Sequence, residues 1–301
     1  MKNWSLDDRQ LNTLQYFRDH ANDWRNRAEA DRSRRVSTIG QRNDHAIWFA
    51  QDNLKDLKKT LELGCRSGEL VFELAQLGIH ATGIDFSDKM VELCKEKAIR
   101  LGIEKQCQFE IGSVMDFDFG QQKFDLITAF GFIEYLRPEE LSVFFAMCRK
   151  LLNPGGVVQI GSRNRLFNVF SLNQFTQAEI GAGTVQELLS EAVLLAESDT
   201  FDRYLEIALS RVTGQEVLRE YPQTDVNVAG YQYAPSVICA LMRDADLHAK
   251  SISPVHYHGL IPVVARQNTE MHADISNAVH AKFNQNFKLV PYSSTYIISA
   301  S

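Results

Sequence analysis

The sequence has little that marks a disulfide-stabilised, zinc-binding or membrane-spanning protein. Its 301 residues include five cysteines, an odd number, and none shows CxxC or CxH spacing. This argues against a disulfide framework and against a cysteine-based zinc site. No apolar run reaches the roughly 18 residues of a membrane span, and the first residues lack the apolar core of a signal peptide. We therefore expect a cytoplasmic protein without a membrane span.

An excess of positive charge is also missing. The formal net charge is −6 in an otherwise ordinary globular composition of 45% hydrophobic and 23% charged residues. An acidic balance disfavours nonspecific binding to nucleic acid or to an anionic membrane. We expect a small-molecule partner and no nucleic acid.

Strand-like and helix-like stretches alternate from residue 58 onward, as in KTLELG followed by ELVFELAQLG. This alternation predicts a parallel sheet between helix layers. It breaks at 163–233, where two helical stretches occur, and resumes afterwards. We therefore predict an α/β domain formed by 58–162 and 234–301 and a mostly helical cap inserted at 163–233.

The residues before this domain are predicted to form a helical arm, 1–57, because apolar residues recur every three or four positions between 7 and 30. Within the arm, the arginine-rich stretch 31–42 is interpreted as a solvated, mobile connector. An anion site is the alternative.

The stretch TLELGCRSGEL, residues 60–70, predicts a strand that ends in a ligand-binding turn. A helix amino terminus after such a strand offers unpaired N–H groups, and glycines allow close approach of a ligand. The spacing of Gly64 and Gly68 fits neither a dinucleotide fingerprint nor a Walker loop. Asp85 lies 21 residues after Gly64 at the end of the next strand, where a carboxylate accepts ribose hydroxyls. A turn or N-cap role for Asp85 is the alternative.

With these elements the chain resembles the class I S-adenosylmethionine-dependent methyltransferases. Glu62, Gly64, Arg66 and Gly68 occupy the positions of the family's first motif, an acidic residue followed by G-x-G-x-G, with Arg66 in place of the central glycine. The segments 124–136 and 149–161 resemble the family's fourth strand and its Pro-Gly-Gly turn and fifth strand. The likeness is strong over 58–162 and loose over 235–301.

The resemblance implies a doubly wound, mostly parallel, seven-stranded Rossmann-like sheet with S-adenosylmethionine as cofactor and S-adenosylhomocysteine as product. It implies methyl transfer to a small molecule, preferably to a hydroxyl oxygen. The alternative is a noncatalytic member that binds a nucleoside or a partner protein. The residues expected to bind the cofactor are Tyr16, Trp24, Glu62, Gly64, Cys65, Arg66, Gly68, Asp85, Phe86, Met90, Ser113, Val114, Phe130 and Gly131.

Several of these assignments leave alternatives open. Tyr16 and Trp24 suit the arm that many such enzymes fold over the cofactor, and they equally suit ordinary core packing. We expect the Arg66 side chain to point outward, since a side chain at the central glycine position would otherwise obstruct the methionine portion. Arg66 is also able to pair with the methionine carboxylate, and a weakened site is the alternative.

The methyl acceptor requires a general base if it is a hydroxyl. His256 and His258 are two apart, so in an extended chain they face the same side, and imidazole titrates near neutrality. The pair is predicted to be catalytic, although half a metal site and structural histidines are alternatives. No third ligand is apparent, so no metal is predicted. Glu134 is the other candidate for catalysis, with Tyr135 beside it, and a helix-start role is its alternative.

The segment that begins the insertion interleaves polar and aromatic side chains between 162 and 176. Such a mixture suits a pocket wall, and it also suits a lid that docks on the domain. We predict that Arg163, Asn164 and Arg165 bind the substrate together with Tyr135, and that the cap shapes the acceptor site.

Overall fold

The computed structural model describes residues 7–31, 36–53, 55–212, 220–222 and 229–301. The β-strands in this part of the chain are Lys59–Leu63 (β1), His80–Asp85 (β2), Cys107–Ile111 (β3), Phe124–Phe130 (β4), Leu152–Arg163 (β5), Glu220–Pro222 (β6), Ala229–Tyr231 (β7), Ala249–Tyr257 (β8) and Ser293–Ala300 (β9).

The α-helices fall into an amino-terminal group, a group between the strands and a group in the second half. They are Asp8–Asp19 (α1), Ala21–Asp31 (α2), Thr38–Asp52 (α3), Glu69–Gln76 (α4), Asp88–Leu101 (α5), Pro138–Leu151 (α6), Asn168–Ser171 (α7), Gln174–Ala182 (α8), Val185–Glu197 (α9), Phe201–Arg211 (α10), Pro235–Asp244 (α11), Pro262–Gln267 (α12) and Thr269–Phe283 (α13). None of these described helices has the length and apolar character needed to cross a membrane.

Seven strands form one sheet in the order β3-β2-β1-β4-β5-β9-β8. Strands β1 to β5 pair in parallel, whereas β9 runs antiparallel to both of its neighbours. The predicted doubly wound, mostly parallel sheet is therefore confirmed. The strand order reverses beside β1, and open α/β sheets bind ligands beyond the carboxyl ends of the strands at such a point.

The alternation of side chains in β4 explains how two layers of helices are held. Leu126 and Phe130 pack into the core on one face of the sheet, while Ile127 and Ala129 pack into the core on the other. All four are buried, as expected of a central strand covered on both faces. The strand therefore presents only its carboxyl end to a ligand.

The insertion after β5 shares the main core of the domain. Leu188 and Leu195 of α9 and Tyr204 of α10 are buried in the same cluster as Ile160 of β5. Strands β6 and β7 pair antiparallel, with Tyr221 opposite Gly230. The insertion thus contains helices α7 to α10 as well as this short ladder.

The amino-terminal helices pack on the same side as the cofactor loop. Asp7 caps α1 in a capping box with Gln10. Arg18 then joins α1 to α5 by a two-pronged contact with Asp88, with nitrogen–oxygen distances of 2.8 and 2.9 Å. Ser37 caps α3, so helix begins within the stretch that was interpreted as a solvated connector. That interpretation is wrong for its last residue, because Nε of Arg42 is buried and its Nη2 donates to the Thr295 hydroxyl at 3.4 Å. Residues 32–35 of the stretch lie outside the described residues.

Candidate cofactor and acceptor site

A cavity opens at the carboxyl ends of β1, β2 and β4, and α1 lies over it. One face of α1 reaches into it, because its contributing residues follow helical spacing from Arg9 to Phe17. The lining residues are Arg9, Gln10, Thr13, Phe17, Gly64, Arg66, Asp85, Phe86, Gly112, Ser113, Val114, Met115, Gly131, Phe132, Tyr135 and Leu136.

The turn after β1 needs glycine at both ends. Gly64 and Gly68 have φ angles of +72° and +75°, which side chains disfavour. A Cβ on Gly64 would stand 2.6 Å from the Phe132 ring, and one on Gly68 would stand 2.8 Å from the Phe109 ring. Gly64 borders the cavity, whereas Gly68 begins α4 just behind it.

Asp85 presents its carboxylate to the cavity from the end of β2. Its two oxygens accept hydrogen bonds from the backbone N–H groups of Arg66 and Ser87, each at 2.9 Å. Burial raises the pKa of this carboxyl, and the two backbone donors oppose that shift. Ser87, not Asp85, caps α5. Each carboxylate oxygen therefore keeps a lone pair for a ribose hydroxyl.

Arg66 crosses the site instead of pointing outward, so the expectation of an outward side chain is wrong. Its φ is +48°, and its Nη2 donates to the carbonyl oxygen of Phe130 at 3.1 Å. This bond anchors the guanidinium at the tip of β4 while it lines the cavity. A positive charge thus stands where the sequence pattern would leave bare backbone.

Glu62 lies behind the glycine turn, where it borders a smaller pocket together with Trp24, Cys65 and Arg66. Burial raises the pKa of its carboxyl to about 8, although Arg66 opposes the shift. Its Oε2 is buried and finds no hydrogen-bond partner in the described part of the chain. An orphaned carboxylate oxygen suits an ammonium group.

The remaining residues expected to bind the cofactor divide into two sets. Phe86, Ser113, Val114 and Gly131 line the cavity. Met90 is fully buried beside Phe17, the Phe130 side chain lies beneath Gly161, and Tyr16 stacks on His20 at 4.4 Å between ring centroids. Phe17, which the sequence analysis missed, stands where Tyr16 was expected. Its position in the helical repeat was the available signal.

Charged side chains surround Gly131, one of the residues that line the cavity. A Cβ on Gly131 would stand 2.7 Å from Nη1 of Arg42 and 3.5 Å from Oε1 of Glu134. Burial lowers the pKa of Arg42 to about 10, an effect that Glu134 opposes. The Nε of Arg163 lies 4.0 Å from the Glu134 carboxylate. The sequence analysis missed Arg42 because nothing in its local pattern indicates burial.

Comparisons with known proteins agree with this geometry. A family model described as a methyltransferase domain matches residues 60–156. The ubiquinone biosynthesis O-methyltransferase of Haemophilus ducreyi is 32% identical over 120 residues, which are 38% of this chain and 49% of that protein. The protein of the same name from Histophilus somni is 27% identical over 205 residues, which are 65% of this chain and 77% of that one. The chain thus spans about half the length of the first relative.

Solved structures share the fold over nearly the whole chain. Magnesium protoporphyrin IX methyltransferase from Synechocystis PCC 6803, with bound SAH, superposes with a TM-score of 0.57 at 14% identity over 98% of this chain and 99% of that one. The CcbJ methyltransferase from Streptomyces caelestis gives a TM-score of 0.54 at 14% identity over 96% and 97%.

Over residues 60–156 the chain is thus similar to methyltransferase domains. The predicted Rossmann-like fold is confirmed, and the matches agree with the predicted resemblance to methyltransferases. The cavity is bordered by Gly64 and Asp85, two of the residues expected to bind S-adenosylmethionine.

Two residues expected to bind the substrate have structural roles instead, which corrects that expectation. The Asn164 amide donates to the carbonyl oxygens of Val290 and Ser293 at 2.7 and 2.8 Å. Arg165 is buried and forms two bonds of 3.0 and 2.9 Å with Glu179. Both side chains fix the start of the insertion to the domain. Among the predicted substrate residues, Tyr135 lines the cavity and burial raises its pKa to about 12.

The two histidines predicted as bases lie elsewhere. The described residues that line the cofactor cavity do not include His256 or His258. His258 borders a separate apolar pocket beside Phe167 and Tyr257. Burial lowers the pKa of His256 well below its usual value and that of His258 to about 4. The arrangement gives no geometric support to a base role for either imidazole.

Proposed function

We propose that this protein transfers the methyl group of S-adenosylmethionine to a hydroxyl oxygen of a small molecule. The observation that carries the proposal is that the Asp85 carboxylate and the Arg66 guanidinium face one cavity at the tips of β1, β2 and β4. A hydrogen-bond acceptor for a ribose and a cation for a carboxylate are the two groups that the ends of this cofactor need.

The proposed placement of the cofactor follows from the lining residues. Asp85 accepts from the ribose hydroxyls, and the adenine lies among Phe86, Ser113 and Val114. Arg66 joins the cavity to the smaller pocket that holds Glu62. The methionine carboxylate is therefore proposed to meet the Arg66 guanidinium, and the ammonium to meet the Glu62 carboxyl and favour its ionised form. When bound, the cofactor supplies a methyl group activated on a sulfonium sulfur.

A hydroxyl oxygen is the proposed acceptor because the relatives that match this chain are named O-methyltransferases. The wall opposite Arg66 offers Met115, Phe132 and Leu136 to an apolar acceptor. As the acceptor oxygen bonds the methyl carbon and the carbon–sulfur bond breaks, the hydroxyl proton must leave. Glu134 is the proposed proton acceptor. It is not itself among the described lining residues, but its Oε1 would stand 3.5 Å from a Cβ on the lining residue Gly131, and its buried Oε2 has no partner in the described residues.

The arm and the insertion are proposed to form the mouth through which the acceptor enters. The Arg9 guanidinium of α1 lies 5.0 Å from the centre of the Tyr231 ring of β7. Tyr233 donates its hydroxyl hydrogen to the carbonyl oxygen of Leu136, a lining residue, at 3.2 Å. The insertion thus approaches the cavity through these tyrosines and not through its helices, which are absent from the described lining.

The test is methyl transfer from isotopically labelled S-adenosylmethionine to a panel of phenols, catechols and aliphatic alcohols. Glu134→Gln should lower kcat by about 10²- to 10⁴-fold while cofactor affinity is unchanged. Glu139→Gln is the matched control, since its side chain is 67% exposed. Tight cofactor binding without transfer to any hydroxyl would favour a noncatalytic binding protein instead.

A further inference from the structure

Three histidines from two elements meet beside β8, the strand at one edge of the sheet. His256 lies in β8, His258 follows that strand, and His272 lies in α13. One ring nitrogen from each lies within 4.8 Å of the other two. His256 and His258 alone offer two ligands. The third comes from a helix sixteen residues further along, which sequence spacing alone does not connect to them.

Several ring nitrogens of the cluster have no hydrogen-bond partner among the described residues. Both ring nitrogens of His258 and Nδ1 of His272 are buried and have no hydrogen-bond partner among the described residues. The Nε2 atoms of His256 and His272 are 3.2 Å apart. Buried nitrogens without partners are costly, and no carboxylate is part of the cluster. Neutral imidazoles with free lone pairs are the form that binds transition metals.

One imidazole is already oriented for such a role. The Nδ1 of His256 lies 2.9 Å from the Ser294 hydroxyl. A hydrogen bond on Nδ1 leaves the Nε2 lone pair directed at the cluster, as is usual for metal-binding histidines. His256 also has a φ of +55°, and backbone strain of this kind occurs where the surrounding structure imposes it.

We propose that His256, His258 and His272 form a binding site for a divalent transition-metal ion of the zinc class. With zinc–nitrogen bonds of about 2.0–2.1 Å, tetrahedral ligands lie roughly 3.3–3.4 Å apart. The 3.2 Å pair matches that spacing. The His258 nitrogen lies within 4.8 Å of both and would have to move closer when the ion binds. Three protein ligands leave a coordination position for water or another ligand. The pocket that His258 borders is the route to that position.

This site is independent of the proposed methyl transfer, because the histidines are absent from the described lining of the cofactor cavity. A bound ion would cross-link β8 to α13. Binding free energy then adds to the stability of the folded state, so zinc should raise the melting temperature.

The experiment titrates zinc into the chelator-treated full chain, with any affinity tag removed, and follows stoichiometry by calorimetry and stability by thermal unfolding. Cobalt substitution gives a visible absorption spectrum that reports coordination directly. We expect one ion per chain. His258→Phe preserves the stacked ring beside Phe167, whose centroid is 4.5 Å away, while removing the ligand nitrogens. The His258→Phe variant and, separately, the His272→Ala variant should each bind zinc more than about 100-fold more weakly than the unsubstituted chain does.

Two further substitutions sharpen the result. Ser294→Ala removes only the orienting bond and should weaken binding by roughly 10- to 100-fold. His248→Ala, at a side chain that is 60% exposed, should bind zinc as the unsubstituted chain does. The proposal is overturned if the unsubstituted chain binds no stoichiometric ion, or if His258→Phe and His272→Ala bind zinc with unchanged affinity.

Discussion

The cofactor region and the insertion differ in what fixes the role of a polar side chain. Around β1 and β2, the backbone conformation fixes that role. Gly64 has a φ of +72°, and the Asp85 carboxylate accepts hydrogen bonds from two backbone N–H groups. In the insertion, a side-chain partner from elsewhere in the sequence fixes that role. Arg165, for example, donates two hydrogen bonds to the Glu179 carboxylate. A site shaped by backbone conformation can be recognised from the spacing of residues such as Gly64 and Asp85 in the sequence. A site formed by side-chain pairs has no such recognisable spacing.

The largest expected effect on stability concerns the ion pair in the insertion. Arg165→Ala leaves the buried Glu179 carboxylate without its cation, so it should lower the free energy of unfolding by about 3–5 kcal/mol. Urea denaturation measures this loss. Arg203→Ala removes an exposed pair with Glu206 and should change stability by less than about 1 kcal/mol. A stable Arg165→Ala protein that loses only turnover would restore the substrate-binding role.

Next in size is an effect on the glycine turn. Gly64→Ala and Gly78→Ala both place a Cβ at positive φ, but Gly78 has nothing within 4 Å, whereas Gly64 meets the Phe132 ring. Gly64→Ala should therefore destabilise the protein by about 1–3 kcal/mol more than Gly78→Ala does. Denaturation of the two variants side by side measures the difference. Equal losses would show that the turn tolerates a side chain.

The pH dependence of stability tests the buried Glu62. Its pKa is raised to about 8 in the folded protein from an ordinary value of 4.5, so the neutral carboxyl favours folding. This contribution is complete below pH 4.5 and is lost as the pH rises through 8. At pH 8.5 the melting temperature of Glu62→Gln should thus be roughly 5 °C above that of the unsubstituted chain, and at pH 5 the two melting temperatures should be the same. A difference that does not change with pH would contradict the assignment.

The smallest effect on stability is expected at Arg66. Arg66→Gly relieves a side chain at a φ of +48° and removes the bond to the Phe130 carbonyl, two changes of about 1 kcal/mol that oppose each other. Unfolding should change little, whereas the affinity for S-adenosylmethionine should fall about tenfold if the guanidinium pairs with the methionine carboxylate. Arg66→Lys, which keeps the charge, should retain part of that affinity. Unchanged affinity in Arg66→Gly would remove Arg66 from the binding site.

The same comparison explains what could be predicted from the sequence. Alternating strands and helices and the spacing from Gly64 to Asp85 are local signals, so the sheet and the glycine turn that borders the cavity could be predicted. The direction of the Arg66 side chain depends on the carbonyl of Phe130, in another strand. Likewise, the burial of Arg42 depends on Glu134 and Gly131, and the histidine cluster depends on α13. These contacts form only when the chain folds, and no local pattern records them.

The most direct test of the cofactor site is calorimetric titration of S-adenosylmethionine into the unsubstituted chain and into Asp85→Ala. Asp125→Ala is the control, since its carboxylate accepts only from groups at the opposite end of the sheet, including the N–H groups of Lys58 and Lys59. We expect one cofactor per chain and an affinity weakened by about 1–3 kcal/mol in Asp85→Ala alone. Absence of binding by the unsubstituted chain, or equal affinity in a folded Asp85→Ala protein, would contradict the account.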